Sequence, residues 1–216
     1  LSSNVIIDWI DSEEITDDNA AEKLSGLDGI IVPGGFGDRG IAGMISTARY
    51  ARENNIPYFG ICLGMQIAVI EYARNVCGLI DANSGEFAPG SQNKVIDFMP
   101  GQSDDIDKGG TLRLGSYPCD ILPGTTMERC YGMSQISERH RHRYEYNNDY
   151  RDVLTNAGLA IGGVSPDKRL VEAVEISDRP FYVGVQYHPE FKSRPNRPHP
   201  LFVGFIDASI KNRKTR

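Results

Sequence analysis

With 216 residues, 40% of them hydrophobic and 24% charged, the chain has the make-up of an ordinary globular protein able to bury a substantial core. A formal net charge of −6 argues against general nucleic-acid binding, no apolar run approaches a membrane span, and no signal-peptide pattern opens the chain. The four cysteines are widely and irregularly spaced, forming neither a disulfide framework nor a metal-ligand pattern, which fits a reducing, cytoplasmic setting and no metal in this part of the chain.

Taken in order, Val5 to Ile10 reads as a strand. The acidic stretch Asp11 to Asp18 reads as a turn able to cap a short helix over Asn19 to Leu24. Leu27 to Val32 is a short β-branched run, a buried strand, and it empties into Pro33-Gly-Gly-Phe-Gly-Asp-Arg-Gly40, a loop whose backbone must come close to something. A helix over Ile41 to Asn54, a strand over Ile56 to Ile61 and a helix over Leu63 to Val76 follow. Strand and helix alternating at this spacing predict a parallel α/β sheet, with ligands at the carboxyl ends of its strands.

Beyond Asp81 the pattern changes. Asn83 to Gln92 is loop-like, and Val95 to Phe98 a strand. Gly101 to Gly110 is a polar loop, and Thr111 to Leu114 and Cys119 to Leu122 are two short strands. Ser134 to Tyr146 is extended and carries Arg139-His-Arg-His-Arg143. Tyr150 to Asn156 is a short helix ending at Gly158, and Leu159 to Val164 with Leu170 to Ile176 form a hairpin. Phe181 to Gln186 is a strand, Leu201 to Lys211 a closing helix, and Lys211 to Arg216 a frayed basic tail. The sum is one α/β domain: a mostly parallel sheet flanked by helices, with a small antiparallel subsheet.

The chemistry concentrates at Gly60-Ile-Cys-Leu-Gly64, where a strand turns directly into a helix. G-x-C-x-G is the thiol version of the nucleophile elbow, with glycines removing side chains that would crowd the turn. The following helix aims its N–H groups and positive dipole end at the sulfur, favouring thiolate. Cys62 therefore reads as an exposed, activated nucleophile, and Cys77, Cys119 and Cys130 as small hydrophobes.

Of the four histidines, only His188 directly follows an apolar strand, and Glu190, two residues on, could hold its imidazole. Cys62, His188 and Glu190 can then act as nucleophile, base and orienter. A satisfied strand-end histidine and a solvated carboxylate are the plain alternatives. An oxyanion needs two donors, for which the backbone N–H groups of Leu63 and Gly35 are the natural candidates.

Three stretches, Pro33-Gly-Gly-Phe-Gly37, Gly60-Ile-Cys-Leu-Gly-Met-Gln66 and Tyr187-His-Pro-Glu-Phe191, together resemble the class I glutamine amidotransferases, the last through its H-P-E. Gly34 to Gly40, Thr47 to Pro57, Gly110 to Gly115 and Glu138 to Glu145 are similar, more narrowly, to the CTP synthase branch of that family. The resemblance implies the flavodoxin-like fold of the family and glutamine hydrolysis through a Cys62 thioester. It implies that the glutamine site takes in Gly35, Leu63, Gly64 and Met65. Gln66 and Glu86 would meet the α-amino group, and Arg143, assisted by the Tyr144 N–H, the α-carboxylate. Arg139 and Arg141 are left as a solvated strand.

The resemblance further implies a separate synthase domain that uses ATP, Mg and UTP and receives the ammonia, GTP as an allosteric activator with Arg39 as a contributor, and a homotetramer of the whole enzyme. The family's first strand and helix, and the synthase domain, have no counterpart here, so the chain is expected to be an N-terminally truncated piece of a longer protein. A non-catalytic module of the same fold, or another cysteine hydrolase such as a γ-glutamyl hydrolase, are the competing readings. The presence of Cys62, His188 and Glu190 opposes the first. Gln66 and the Arg143 neighbourhood oppose the second.

Overall fold

A computed structural model describes residues 4–98 and 113–215. The elements in chain order are α1 (Ala20–Leu24), β1 (Ile30–Val32), α2 (Ile41–Glu53), β2 (Tyr58–Ile61), α3 (Leu63–Asn75), β3 (Asn83–Ser84), β4 (Lys94–Phe98) and β5 (Arg113–Ile121). There follow α4 (Thr126–Tyr131), β6 (Gln135–His142), β7 (Tyr144–Tyr146), α5 (Arg151–Asn156), β8 (Ala160–Val164), β9 (Val171–Glu175), β10 (Tyr182–Val185) and α6 (Pro200–Thr215). None of these helices is long and apolar enough to cross a membrane.

The main sheet has the order β1-β2-β10-β9-β8-β5-β6, and a second sheet the order β3-β4-β7. β1, β2 and β10 run parallel, with Tyr182 opposite Tyr58 and Val185 opposite Ile61. From β10 outward the pairings are antiparallel, and the β8–β9 hairpin turns at Ser165 to Lys168 as its sequence suggests. The parallel strands need crossovers, and α2 and α3 supply those preceding and following β2. The later strands are joined by shorter links that favour antiparallel return.

The central helix is α3. Every residue from Leu63 to Ala73 is buried, so it has no solvent face. One face of the sheet packs on α2 and α3 and the other on α4 and α6, where Phe59, Phe181 and Phe205 meet edge to face or tilted. A buried carboxylate ties α3 to α2. Glu71, fully buried, accepts from Arg52 Nε at 2.9 Å and Nη2 at 2.7 Å, and from Asn75 Nδ2 at 3.1 Å.

Several expectations need correction. Residues 4–10 form no strand and lie exposed, because no strand among the described residues pairs with them. The carboxylates of the acidic stretch do not cap α1; Thr16 within it does, its carbonyl accepting the Ala20 N–H at 3.0 Å and its Oγ1 the Asn19 N–H at 3.3 Å. Asp17 instead accepts from Ser46 Oγ at 2.6 Å and Glu13 from Arg39 Nε at 2.7 Å, holding the segment against α2 and the glycine loop. The two short strands around Arg113 and Cys119 are one continuous β5; Gly101 to Gly110 and Thr111–Leu112 lie outside the described residues. The basic end does not fray: α6 runs to Thr215.

Helix α4 has no counterpart in the sequence reading, although Thr125-Thr-Met-Glu128 carries a capping-box pattern. Thr125 accepts from the Glu128 N–H, and the α4 amides of Thr126 and Met127 donate to Glu175 of β9.

Removing one partner of a buried ion pair strands the other, at about 3–5 kcal/mol. Arg52→Leu should therefore lower unfolding stability by roughly that much in urea titration, with the double change Arg52→Leu/Glu71→Leu recovering much of the loss. A single-variant loss no larger than that of an exposed arginine would show that the pair does not hold α2 to α3.

Candidate active site

The elbow is built as its glycines suggest, though the contacts differ from a simple crowding of the cysteine. Cys62 takes φ +51°, ψ −99°, a conformation side chains rarely adopt, and serves as the N-cap of α3. A Cβ on Gly60 would lie 2.5 Å from the backbone of Gly64, and a Cβ on Gly64 would lie 2.1 Å from the carbonyl oxygen of Val32 in β1. The first glycine lets strand and helix meet, and the second lets the helix sit on the neighbouring strand. The Tyr58 hydroxyl donates to the Gly64 carbonyl at 2.8 Å, and the Cys62 N–H to the Val185 carbonyl at 2.7 Å.

Cys62 is 5% exposed, not an open thiol. It is enclosed because three further groups close on it. A Cβ on Gly34 would fall 2.8 Å from His188 Cε1 and 3.6 Å from Cys62 Cβ, so the glycine loop passes through the angle between these two side chains. The Gln186 amide lies on the sulfur, with Nε2 at 3.6 Å from Sγ. The other thiols are driven toward the neutral form by burial: Cys119 and Cys77 are raised, and Cys130 reaches about 11.

His188 follows β10 and is held from two sides. Its backbone N–H donates to the Arg139 carbonyl of β6 at 2.8 Å, and its Nδ1 meets Glu190 Oε1 at 2.6 Å. Nδ1–H donating to this carboxylate leaves Nε2 for the sulfur. Burial works against the charged imidazolium. The hydrogen bond to the Glu190 carboxylate, with the Cys62 sulfur close by, outweighs it and raises His188 to about 9, while Nε2 itself makes no hydrogen bond among the described residues.

Of the expected glutamine-contact residues, Glu86, Gln66 and Tyr144 are tied to the glycine loop and to Cys62 by hydrogen bonds. Glu86, in the loop after β3, accepts the Gly37 N–H at 3.0 Å and so ties down the glycine loop. Gln66, buried on α3, donates through Nε2 to the Tyr144 carbonyl at 3.0 Å and to Gln186 Oε1 at 3.3 Å. Arg143 stands at the bend where the chain leaves β6 for β7, and Tyr144 opens β7. A Cβ on Gly35 would touch Leu63 Cδ2 at 3.0 Å, so the two candidate oxyanion donors are neighbours. Neither N–H has a hydrogen-bond partner among the described residues. Gly64 and Met65 form the first turn of α3; the Met65 side chain is fully buried against Gly184 and lies in the core. Arg39 is exposed and engaged by Glu13.

The basic run splits by strand alternation. Arg139 and Arg141 are exposed, whereas His140 and His142 are buried and share a bond from Nδ1 to Nε2 at 2.8 Å. Burial, then the charge of nearby Arg113, lowers both, His142 to about 3, so the interior half of the run is neutral. Arg113 pairs with Glu172 at 2.7 Å.

Two residues of this site escaped the sequence reading. Arg139 contributes through its backbone carbonyl, which no side-chain pattern could reveal. Gln186 stands two residues before His188, and alternation along an extended chain was the available signal.

A nucleophile elbow at the carboxyl end of a parallel strand, with a histidine and carboxylate brought in from β10, is accompanied by a family match over most of the chain. A sequence model of the glutamine amidotransferase class-I family matches residues 1–208. The chain belongs to the class I glutamine amidotransferases. It is 59% identical over 98% of its length to a CTP synthase of Carboxydothermus hydrogenoformans and 56% identical over 100% of its length to one of Staphylococcus aureus. It spans about 40% of the length of each of these relatives. The solved glutaminase domain of Trypanosoma brucei CTPS, with bound acivicin, matches it at a TM-score of 0.92 and 43% identity, covering 97% of this chain and 82% of that one. Within the family, then, the chain groups with the glutaminase domains of CTP synthases.

The raised affinity of His188 for its proton stabilises the fold fully below its ordinary value of 6.5, and this contribution is lost as pH rises through about 9. The stability deficit of Glu190→Gln should therefore be largest near about pH 6 and shrink toward about pH 10 in urea titrations. A deficit independent of pH over that range would mean that Glu190 does not hold the proton on His188.

Proposed function

We propose that this chain is the glutamine-hydrolysing half of a CTP synthase, with Cys62, His188 and Glu190 as its catalytic residues. The observation that carries the reading is the junction of Cys62, His188 and Gly34 at one point, with Glu190 bound to the far side of the imidazole. Cys62 as thiolate attacks the side-chain amide carbon of glutamine. The tetrahedral oxyanion is met by the N–H groups of Gly35 and Leu63, and His188 as imidazolium protonates the departing nitrogen so that ammonia leaves. Neutral His188 then takes a proton from water, whose oxygen attacks the thioester. The C–S bond breaks, glutamate is released and the thiolate returns. Glu190 keeps Nδ1–H pointed at itself and Nε2 toward the sulfur throughout.

Both amide hydrogens of Gln66 are committed, so its Oε1 is the acceptor offered to the substrate ammonium, together with Glu86. Arg143 and the Tyr144 N–H take the α-carboxylate; a guanidinium fork suits that group. The backbone of Gly64 and Met65 lines the pocket, and the Met65 side chain supports it from the core.

The ammonia is consumed by a synthase domain that uses ATP and Mg to activate UTP for amination to CTP, a step of pyrimidine nucleotide biosynthesis. Among the described residues no cluster of three or more His, Cys, Asp or Glu could hold a metal ion, and no hydrolytic step above runs through one. GTP acts as the activator, the assembled enzyme is a cytoplasmic homotetramer, and Arg39 on the glycine loop contributes to the response.

Glutamate release from L-glutamine, measured for the chain with its synthase domain, ATP, UTP and GTP, is the test. Cys62→Ala should lose at least about 10⁴-fold in kcat, as removal of a covalent nucleophile does in comparable machinery. Gln66→Met should mainly raise KM. Turnover that survives Cys62→Ala would overturn the assignment.

A further inference from the structure

The Gln186 side chain is fully buried at the end of β10, at the same level of the parallel pair as Cys62. Val185 is the last residue paired with β2, opposite Ile61. Gln186 and Cys62 are the next residues on their strands, and the Cys62 N–H crosses to the Val185 carbonyl. Register alone puts the amide beside the sulfur. The Gln186 backbone is pinned on its other side, its N–H donating to the Glu172 carbonyl of β9 at 2.9 Å.

The polarity of this amide follows from the backbone. The Tyr144 carbonyl can only accept, so the Gln66 group facing it must be the NH₂, at 3.0 Å. The second hydrogen of that NH₂ points to Gln186 at 3.3 Å, so Gln186 presents its oxygen there. Its own NH₂ is thereby turned to Sγ at 3.6 Å. Donation diverges from Gln66, one hydrogen going to the fixed Tyr144 carbonyl and the other to Gln186, and continues from the Gln186 amide to the nucleophile. Flipping either amide would set two acceptors or two donors face to face in the interior, leaving groups unsatisfied at a cost in stability.

We propose that Gln186 is a positioning residue for Cys62: its amide donates to the sulfur, fixing the thiolate rotamer, and couples the nucleophile to Gln66. The inference rests on the glutaminase reading above. An amide donor stabilises the attacking thiolate without competing for its proton, which a second base would do. The coupling also explains why Gln66 is buried although its oxygen is offered to substrate: its two hydrogens serve the chain of amides. Around the sulfur the charged partner is His188, backed by Glu190.

Gln186→Met keeps the length and removes the amide. In the glutamate-release assay with the assembled enzyme, kcat should fall about 10- to 100-fold, the scale of a lost hydrogen bond to a charged group, while KM for glutamine stays within about threefold. Gln66→Met provides the contrast, with KM rising. A second measurement leaves Gln186 untouched. In the chain labelled with ¹⁵N-glutamine, the Gln186 side-chain amide resonance, assigned by its disappearance in Gln186→Met or Gln186→Glu, should move on Cys62→Ala and stay in place on Cys119→Ala. If both substitutions at Gln186 prevent folding, the glutamine amide resonances that respond selectively to Cys62→Ala serve instead. An unchanged kcat in folded Gln186→Met, or amide resonances indifferent to Cys62→Ala, overturns the proposal. If wild type releases no glutamate while the amide still responds to Cys62, the glutaminase reading fails and the positioning contact stands.

Discussion

Between Ile61, the last residue of β2, and Leu63, the first of α3, the chain has one residue in which to pass from strand to helix, and it does so by holding Cys62 at φ +51°. A β-carbon costs energy in that region, and the conformation persists only because the surroundings over-determine it. β2 is fixed on both sides by parallel neighbours. α3 is buried along eleven consecutive residues from Leu63 to Ala73 and anchored to α2 by the Glu71–Arg52 pair. Neither element can shift to relax the turn. The strain falls on the one residue whose side chain is presented, and the glycines at 60 and 64 remove the collisions that would prevent it.

Everything else at the site is arranged against that fixed point. His188 follows the adjacent parallel strand by three residues and is held in place beyond it by the Arg139 carbonyl of β6. Its backbone is bound to β6 and its imidazole to Glu190, which leaves one orientation. Glu86 clamps the glycine loop through the Gly37 N–H. Polar contacts made by fixed backbone groups determine the side-chain tautomer and amide orientations in turn, which is an inexpensive way to obtain a preorganised site from few residues.

The buried charges obey the same economy. A strand with Arg-His-Arg-His-Arg would be a liability if all five were cationic inside the fold. Strand alternation turns Arg139 and Arg141 outward, while the enclosed histidines are held neutral by burial and by Arg113, itself neutralised by Glu172. A run that suggests a basic surface is, on its inner face, an uncharged hydrogen-bonded layer behind the active site.

The local signals in the sequence were strong where one stretch carries its own cause. Alternating strand and helix patterns placed α2, β2, α3 and the β8–β9 hairpin. G-x-C-x-G identified the elbow, and the His188–Glu190 spacing identified a pair that does bond. Misreadings came where the cause lies elsewhere in the chain. Val5 to Ile10 has the composition of a strand, but strandedness needs a partner edge. The acidic segment caps α1 through Thr16 rather than through a carboxylate, and its carboxylates reach Ser46 and Arg39 across space. Whether Cys62 is open or enclosed could not follow from a motif, because Gly34, Gln186 and His188 arrive from other strands. The sequence by itself determined which residue types stand at the strand ends, and hence a strained thiol with a histidine and carboxylate available to it. Only the tertiary structure decided the register that sets Gln186 and His188 beside that thiol and the direction in which its neighbouring amides donate, because hydrogen-bond polarity is settled by which backbone carbonyl lies within reach.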